Sequence, residues 1–193
     1  MRAGATARRN EMATFKKDHR GLRRRPLYTP LGIVIVSVLA AVLVGGWLVA
    51  SWGTTTVVLV RHGERVHHEG DSPLSPAGEA RAESLARMLQ GAGLDAIYVS
   101  QALRTQQTAA PTAQVTGLEP VVVPADEYAK LVRRLKWRHR SDVVLVVGHS
   151  NTVPLIAGGL GAPIDVIEAD EYSGLWIITY SRLRGTRLLA LRY

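Results

Sequence analysis

The chain has 193 residues, no cysteine and a formal net charge of +8. That length allows one ordinary domain plus an appendage, and the missing cysteine excludes disulfide and thiolate chemistry. The charge is concentrated: residues 1–26 hold nine Lys/Arg against Glu11 and Asp18, so the remaining residues sum to only +1. A nearly neutral domain argues against nucleic acid as a partner.

Residues 1–26 show no hydrophobic period and read as a basic, disordered cytoplasmic tail. Residues 27–53 read as a transmembrane signal anchor with a short linker. Its core, LGIVIVSVLAAVLVGGWLVA (31–50), carries no charge, and a helix of that length spans about 30 Å, the thickness of the bilayer's hydrocarbon core. Tyr28, Trp47 and Trp52 flank it, where aromatic rings favour the interface. The arginines just before it keep the N-terminus in the cytoplasm. A single-pass membrane protein follows, with residues 54–193 on the periplasmic or extracellular side. The rival is a cleaved signal peptide, whose apolar region is usually shorter, about 7–15 residues.

From residue 54 onward, strand-like and helix-like runs alternate. TTTVVLV reads as a strand. SPAGEARAESLARMLQ follows as a helix, with Ser75 as N-cap and Pro76 in its first turn. DAIYVS is a second strand, and ALRTQQTAAPTAQ a helix that Pro111 should kink. VVVP is a third strand. DEYAKLVRRLKWR is a basic amphipathic helix with Tyr128, Leu131, Val132 and Leu135 on one face. DVVLVV is a fully apolar strand, and TVPLIAGGL starts another helix. SGLWIITY and TRLLALRY close the chain as a hairpin around SRLRG. Apolar strands alternating with helices predict a three-layer α/β/α fold with a mostly parallel sheet, mixed because of the final hairpin.

Ligands in such sheets bind at the carboxyl ends of the strands. The first strand ends at Arg61-His62-Gly63-Glu64, the apolar DVVLVV ends at Gly148-His149-Ser150-Asn151, and DAIYVS ends at Ser100, shortly before Arg104. Two histidines and two arginines at one edge suit phosphoryl chemistry. Guanidiniums fork onto phosphoryl oxygens, a second imidazolium neutralises charge, and a neutral imidazole nitrogen can attack phosphorus.

RHGE (61–64), LSPAG (74–78), SQALRTQQTA (100–109) and GHSN (148–151), in this order, resemble the histidine phosphatase superfamily, the phosphoglycerate-mutase-like fold, over roughly residues 55–180. The resemblance implies that His62 is phosphorylated during turnover, that Arg61, Arg104 and His149 complete the phosphate pocket, and that no metal or cofactor is required. It also implies a carboxylate proton donor after the RTxxTA helix. Asp126 and Glu127 are the candidates, with Glu127 preferred. Glu64 is a substrate-binding or pocket-orienting residue, or a helix-starting carboxylate. Ser150 and Asn151 divide between phosphate contact and helix capping.

His67, His68, Glu69 and Asp71 share one loop that could suggest a metal, but the resemblance implies none. About 40 residues separate Arg104 from His149, too few for the substrate-covering insertion of the mutases. The chain therefore resembles the short branch that includes the phosphohistidine phosphatases. The expected activity is a phosphomonoesterase on phosphorylated small molecules or macromolecules. Two alternatives remain: a catalytically weak phosphate-binding or regulatory module, and a phosphoglycerate-mutase-type transferase. KLVRRLKWRHR (130–140) is a solvated helix face, an electrostatic funnel for substrate, or a contact to anionic lipid. Oligomeric state has no signature in the sequence.

Overall fold

The computed structural model describes residues 28–51, 53–67, 69–181 and 185–193. The tail 1–26, Trp52, His68 and the tip of the expected hairpin turn (182–184) lie outside the described residues.

Val57, Val58, Leu59 and Val60 are all buried, and they sit in β1 (Thr55–Arg61). A strand covered on both faces has no polar side, so its apolar run is continuous. Helix α2 (Pro76–Leu89) follows, then β2 (Ala96–Val99), α3 (Leu103–Thr116), the two-residue β3 (Val121–Val122), a 3-10 turn at Ala125–Glu127, α4 (Tyr128–Arg138), β4 (Val143–Gly148), α5 (Thr152–Gly159), β5 (Gly174–Ser181) and β6 (Gly185–Arg192). The sheet order is β3-β2-β4-β1-β5-β6. The first four strands of that order are mutually parallel, whereas β5 runs antiparallel to β1 and to β6. The expected mixed, mostly parallel sheet is what forms.

Period-2 alternation divides the core between two layers of helices. Val57, Leu59, Val144 and Val146 pack with Leu131 and Leu135 of α4 and with Val153 and Ile156 of α5. Val58, Val60, Leu145 and Val147 pack on the other side with Leu85 and Leu89 of α2 and Ala109 of α3. Pro111 lies inside α3 and does not end it. Ser75 caps α2 as expected, its Oγ accepting from the Gly78 amide at 3.2 Å.

The first helix among the described residues is α1 (Tyr28–Ser51). Its stretch Pro30–Leu48 has a mean hydropathy of 2.5 and is long and apolar enough to cross a bilayer. A signal sequence meets the same two criteria.

One backbone contact fixes the loop after β1. The Glu64 carbonyl accepts from the Ser75 amide at 2.8 Å, and Gly63 and Gly78 meet with no room for side chains. A Cβ on Gly78 would stand 2.2 Å from the Glu64 oxygen, and one on Gly63 would stand 2.9 Å from the Gly78 oxygen. The glycines of RHGE and LSPAG are thus two halves of one contact. Gly78→Ala should cost about 1–3 kcal/mol by overpacking. Gly91→Ala, whose Cβ would meet nothing within 4 Å, should cost less than about 0.5 kcal/mol. Urea unfolding of the two variants side by side checks this.

Candidate active site

Arg61 pairs with Gly148 across β1 and β4, and the His62 amide extends the ladder by donating to the Gly148 carbonyl at 3.0 Å. The next residue on each strand is therefore a histidine, and the two rings meet edge to face with centroids 5.3 Å apart. His62 is 3% exposed, His149 8% and Arg61 4%. Ser100, one residue past β2, is buried beside them.

The hydrogen bonds assign the protons. His62 Nδ1 lies 2.7 Å from the Gly63 carbonyl, which only accepts, so Nδ1 carries the hydrogen and Nε2 keeps its lone pair. Burial, reinforced by His149, Arg104 and Arg61, pushes the His62 pKa down to about 3 against the opposing Gly63 hydrogen bond. The ring is neutral at physiological pH. Arg104 Nη2 approaches His149 Nδ1 at 3.4 Å. A guanidinium only donates, so Nδ1 is the acceptor and Nε2 carries the proton. Nε2 donates to Ser100 Oγ (2.8 Å), which donates to Thr105 Oγ1 (2.9 Å), which donates to the Ala102 carbonyl (2.8 Å). His149 is also neutral, burial first and then Arg104 and Arg61 pulling its pKa down to about 4. In the free site the second histidine is thus an imidazole.

Three guanidiniums surround the rings. Arg61 Nη1 donates to the carbonyls of Glu168 (2.7 Å) and Glu171 (2.9 Å), and Nη2 to that of Ala169 (2.9 Å). Its guanidinium stacks on Tyr172 at 4.0 Å from the ring centroid. Arg104 Nη1 pairs with Asp71 at 3.5 Å, and Asp71 also accepts from the Leu103 amide at 2.9 Å, at the start of α3. Burial depresses the pKa of both Arg61 and Arg104, and the charge of Arg65 adds to that effect. Among the described residues, the Nε groups of Arg61, Arg65 and Arg104 are buried without any hydrogen-bond partner. Buried, unpaired cationic donors are costly, and three in one place mark a site that is complete only with an anion.

The remaining candidates are placed as follows. Glu64 forms a forked ion pair with Arg81, with contacts of 2.6–3.1 Å, which holds its carboxyl below the usual range and raises Arg81. Its carboxylate is occupied in joining the β1 loop to α2. Ser150 is half-buried in the turn before α5, and Asn151 is the N-cap residue without a side-chain capping bond. Glu127 ends the 3-10 turn at the carboxyl edge, its carboxylate 2.8 Å from Lys130 Nζ, and Asp126 beside it is exposed. No three His, Asp or Glu side chains gather at metal-binding distance among the described residues.

Sequence reasoning missed Arg65, Tyr172, Thr105 and Thr108. Thr108 matters because its hydroxyl accepts from the Gly63 amide at 2.9 Å while donating to the Arg104 carbonyl at 2.7 Å. The second threonine of RTxxTA thereby locks the RHG loop to α3. Arg65 stood inside the charged run after β1 and was legible there. Tyr172 lies in the irregular segment between α5 and β5, which carries no period.

The model of the histidine phosphatase superfamily (branch 1) matches residues 57–127, from within β1 through the 3-10 turn. Over that stretch, less than half of its length, the chain is similar to the histidine phosphatase superfamily. A protein from Yersinia enterocolitica named "Probable phosphoglycerate mutase GpmB" is 40% identical over 75 residues, 35% of this chain and 35% of its own length. The chain thus matches about a third of such curated relatives. Solved structures show the fold. The protein histidine phosphatase SixA, complexed with tungstate, aligns with a TM-score of 0.57 at 20% identity, covering 71% of this chain and 96% of SixA. A mycobacterial glucosyl-3-phosphoglycerate phosphatase gives 0.57 at 15%, covering 72% and 98%.

For this site the depressed histidine pKa values make a testable statement. Unfolded histidines take protons near 6.5, whereas folded His62 and His149 wait until about 3 and 4. The unfolded state therefore binds more protons between those values, and stability falls as pH drops from about 6.5 toward 4. In nitrogen-detected NMR both rings should keep neutral-imidazole shifts from pH 8 to 5. A titration of either near 6.5 would contradict the assignment.

Proposed function

We propose that the chain is a membrane-anchored phosphatase that hydrolyses phosphomonoesters or phosphorylated macromolecules through a phosphohistidine on His62. Residues 54–193 form the catalytic unit, residues 27–53 the anchor and its linker, and residues 1–26 a cytoplasmic tail. The catalytic unit then lies on the periplasmic or extracellular side. The observation that carries the reading is the neutral His62, with Nε2 unprotonated, among three guanidiniums whose buried Nε donors are unpaired. A nucleophile that needs no deprotonation and a preset cluster of cations are the two things phosphoryl transfer to nitrogen requires.

The steps balance as follows. The phosphoryl oxygens take the free donors of Arg61, Arg65 and Arg104. Arg104 shifts its weight from His149 to the phosphate, so His149 Nδ1 can take the proton that a monoanionic phosphoester carries and donate it back to the same equatorial oxygen. His62 Nε2 attacks phosphorus in line, the P–O ester bond breaks, and the leaving oxygen collects a proton from Glu127 or Asp126. Water then attacks the phosphohistidine, giving its proton to the same carboxylate, while the P–N electron pair returns to Nε2. Glu127 is bonded to Lys130 in the free protein, so it must turn toward the substrate. If it does not, substrates whose leaving groups need little protonation will dominate, phosphohistidine among them. Glu64 acts in this scheme by orienting the loop through Arg81, and Ser150 and Asn151 stand at the rim.

A brief reaction with a radiolabelled aryl phosphate, quenched in base, should trap an acid-labile, base-stable label on the wild type. His62→Ala should carry no label and should lose at least about a thousandfold in kcat. Activity within tenfold of wild type would overturn the nucleophile. Arg65→Ala should lower kcat/KM by about 10–100-fold, the range expected for one charge-assisted contact in a buried site. Chelator should leave the rate unchanged. Interconversion of 2- and 3-phosphoglycerate faster than their hydrolysis would favour the mutase reading, and tungstate binding without turnover of any ester would favour the binding module.

A further inference from the structure

The basic helix α4 plays no part in this chemistry. Leu131, Val132 and Leu135 bury its inner face, while Arg133, Lys136, Trp137 and Arg138 are exposed on its outer face, and Arg140 is exposed in the loop after it. A funnel toward the phosphate pocket and a contact with lipid would place these cations at opposite ends of the domain, and the topology decides between them. Helix α4 runs from the carboxyl edge of the sheet back to the start of β4, so its last turn lies at the amino edge. Thr55 Oγ1 bonds the His139 carbonyl. The Tyr180 hydroxyl donates to the Leu135 carbonyl at 2.7 Å, and the Thr56 amide to the Asp142 carbonyl at 2.9 Å. The six residues of β4 put about 20 Å between that edge and His149, roughly twice the Debye length in physiological salt. Lys136, Arg138 and Arg140 are therefore screened from the pocket.

Two acids at this edge are already engaged. Asp142 holds His139 Nδ1 at 2.8 Å, and Asp95 accepts from the Val143 amide at 2.8 Å. Trp137 is 64% exposed in the middle of the cations. An indole suits the head-group level of a bilayer, with an apolar body and a polar N–H. Clustered Lys/Arg beside it match the negative surface potential of anionic lipid. The chain also enters the domain at this edge: β1 starts at Thr55, and residues 52–54 link it to the apolar helix, a tether of at most ~14 Å.

We infer that Lys136, Trp137, Arg138 and Arg140 form a docking face for an anionic phospholipid surface, a second membrane contact beyond the apolar helix. It rests on the reading of residues 31–50 as an anchor. The chain has no cysteine, so Ser141→Cys, exposed in the loop beside the patch, gives one labelling site in the full-length protein. The labelled protein is reconstituted in phosphatidylcholine vesicles with and without phosphatidylglycerol, each containing lipid brominated near the head group. The expected result is quenching about twofold or more stronger in the anionic vesicles, reversed by high salt. The excess should also vanish in Lys136→Glu/Trp137→Ser/Arg138→Glu, while aryl phosphate hydrolysis stays within about twofold of wild type because none of the three touches the pocket. The salt reversal tests the contact on the unaltered patch, should that variant fold poorly. Equal quenching in both vesicles, quenching indifferent to salt, or release by excess neutral lipid alone would overturn the inference. Failure of the full chain to float with phosphatidylcholine vesicles would instead overturn the anchor, so the two ideas fail separately.

Discussion

The parallel register of β1 and β4, with Arg61 opposite Gly148, is the constraint from which the site is built. Side chains alternate faces along a strand, so a slip of one residue would send one histidine to the opposite layer. With the register as it is, both strands end together and each places its next residue, His62 or His149, over the same edge. The chain beyond must then leave without filling that space. Gly63 and Gly148 allow it: the first passes Gly78 backbone to backbone, and the second leaves just enough room for Thr152 and Val153.

The second requirement is electrostatic. Cations without anions do not bury themselves, and the domain holds Arg61 by other means. Three carbonyls of the segment 168–171 and the face of Tyr172 supply partial negative charge around it, while Asp71 serves Arg104. Carbonyl dipoles stabilise a guanidinium without neutralising it. The net positive potential therefore survives to meet a phosphoryl group and, added to the larger effect of burial, it keeps both histidines unprotonated until one arrives. Stability is given up locally so that binding energy is available where charge develops.

Much of this was legible before any coordinates. The order of strands and helices follows from apolar runs of different period, and the two histidines were found because each ends such a run. What escaped reading has physical reasons. The pairing of Glu64 with Arg81 joins residues seventeen apart on a loop and a helix, and no local pattern announces it. The carbonyls at 168–171 reach Arg61 through backbone atoms, to which sequence is nearly silent, and the Tyr172 ring stacks on it from a segment without period. The tautomer of His149 depends on Ser100 and Thr105, residues whose hydroxyls serve equally well as caps or solvent contacts. The third strand was read as VVVP and is only two residues long, because the chain turns at Pro124 into a 3-10 segment instead of continuing the ladder. The proton donor is the one role for which neither spacing nor geometry selects a residue, since both carboxylates at 126–127 stand near the edge and neither is bonded into the cluster.

The chain of hydroxyls behind His149 ends at the Ala102 carbonyl. A main-chain carbonyl can receive a hydrogen bond but cannot hold a proton at any physiological acidity, so this relay is blind: polarisation passes along it, and net charge does not. The back wall of the pocket behaves as an electrical insulator. Protons that enter or leave during turnover must use the open side, in company with substrate and water. Ser100 and Thr105 are therefore best regarded as the fixed end of a spring that keeps the imidazole facing forward.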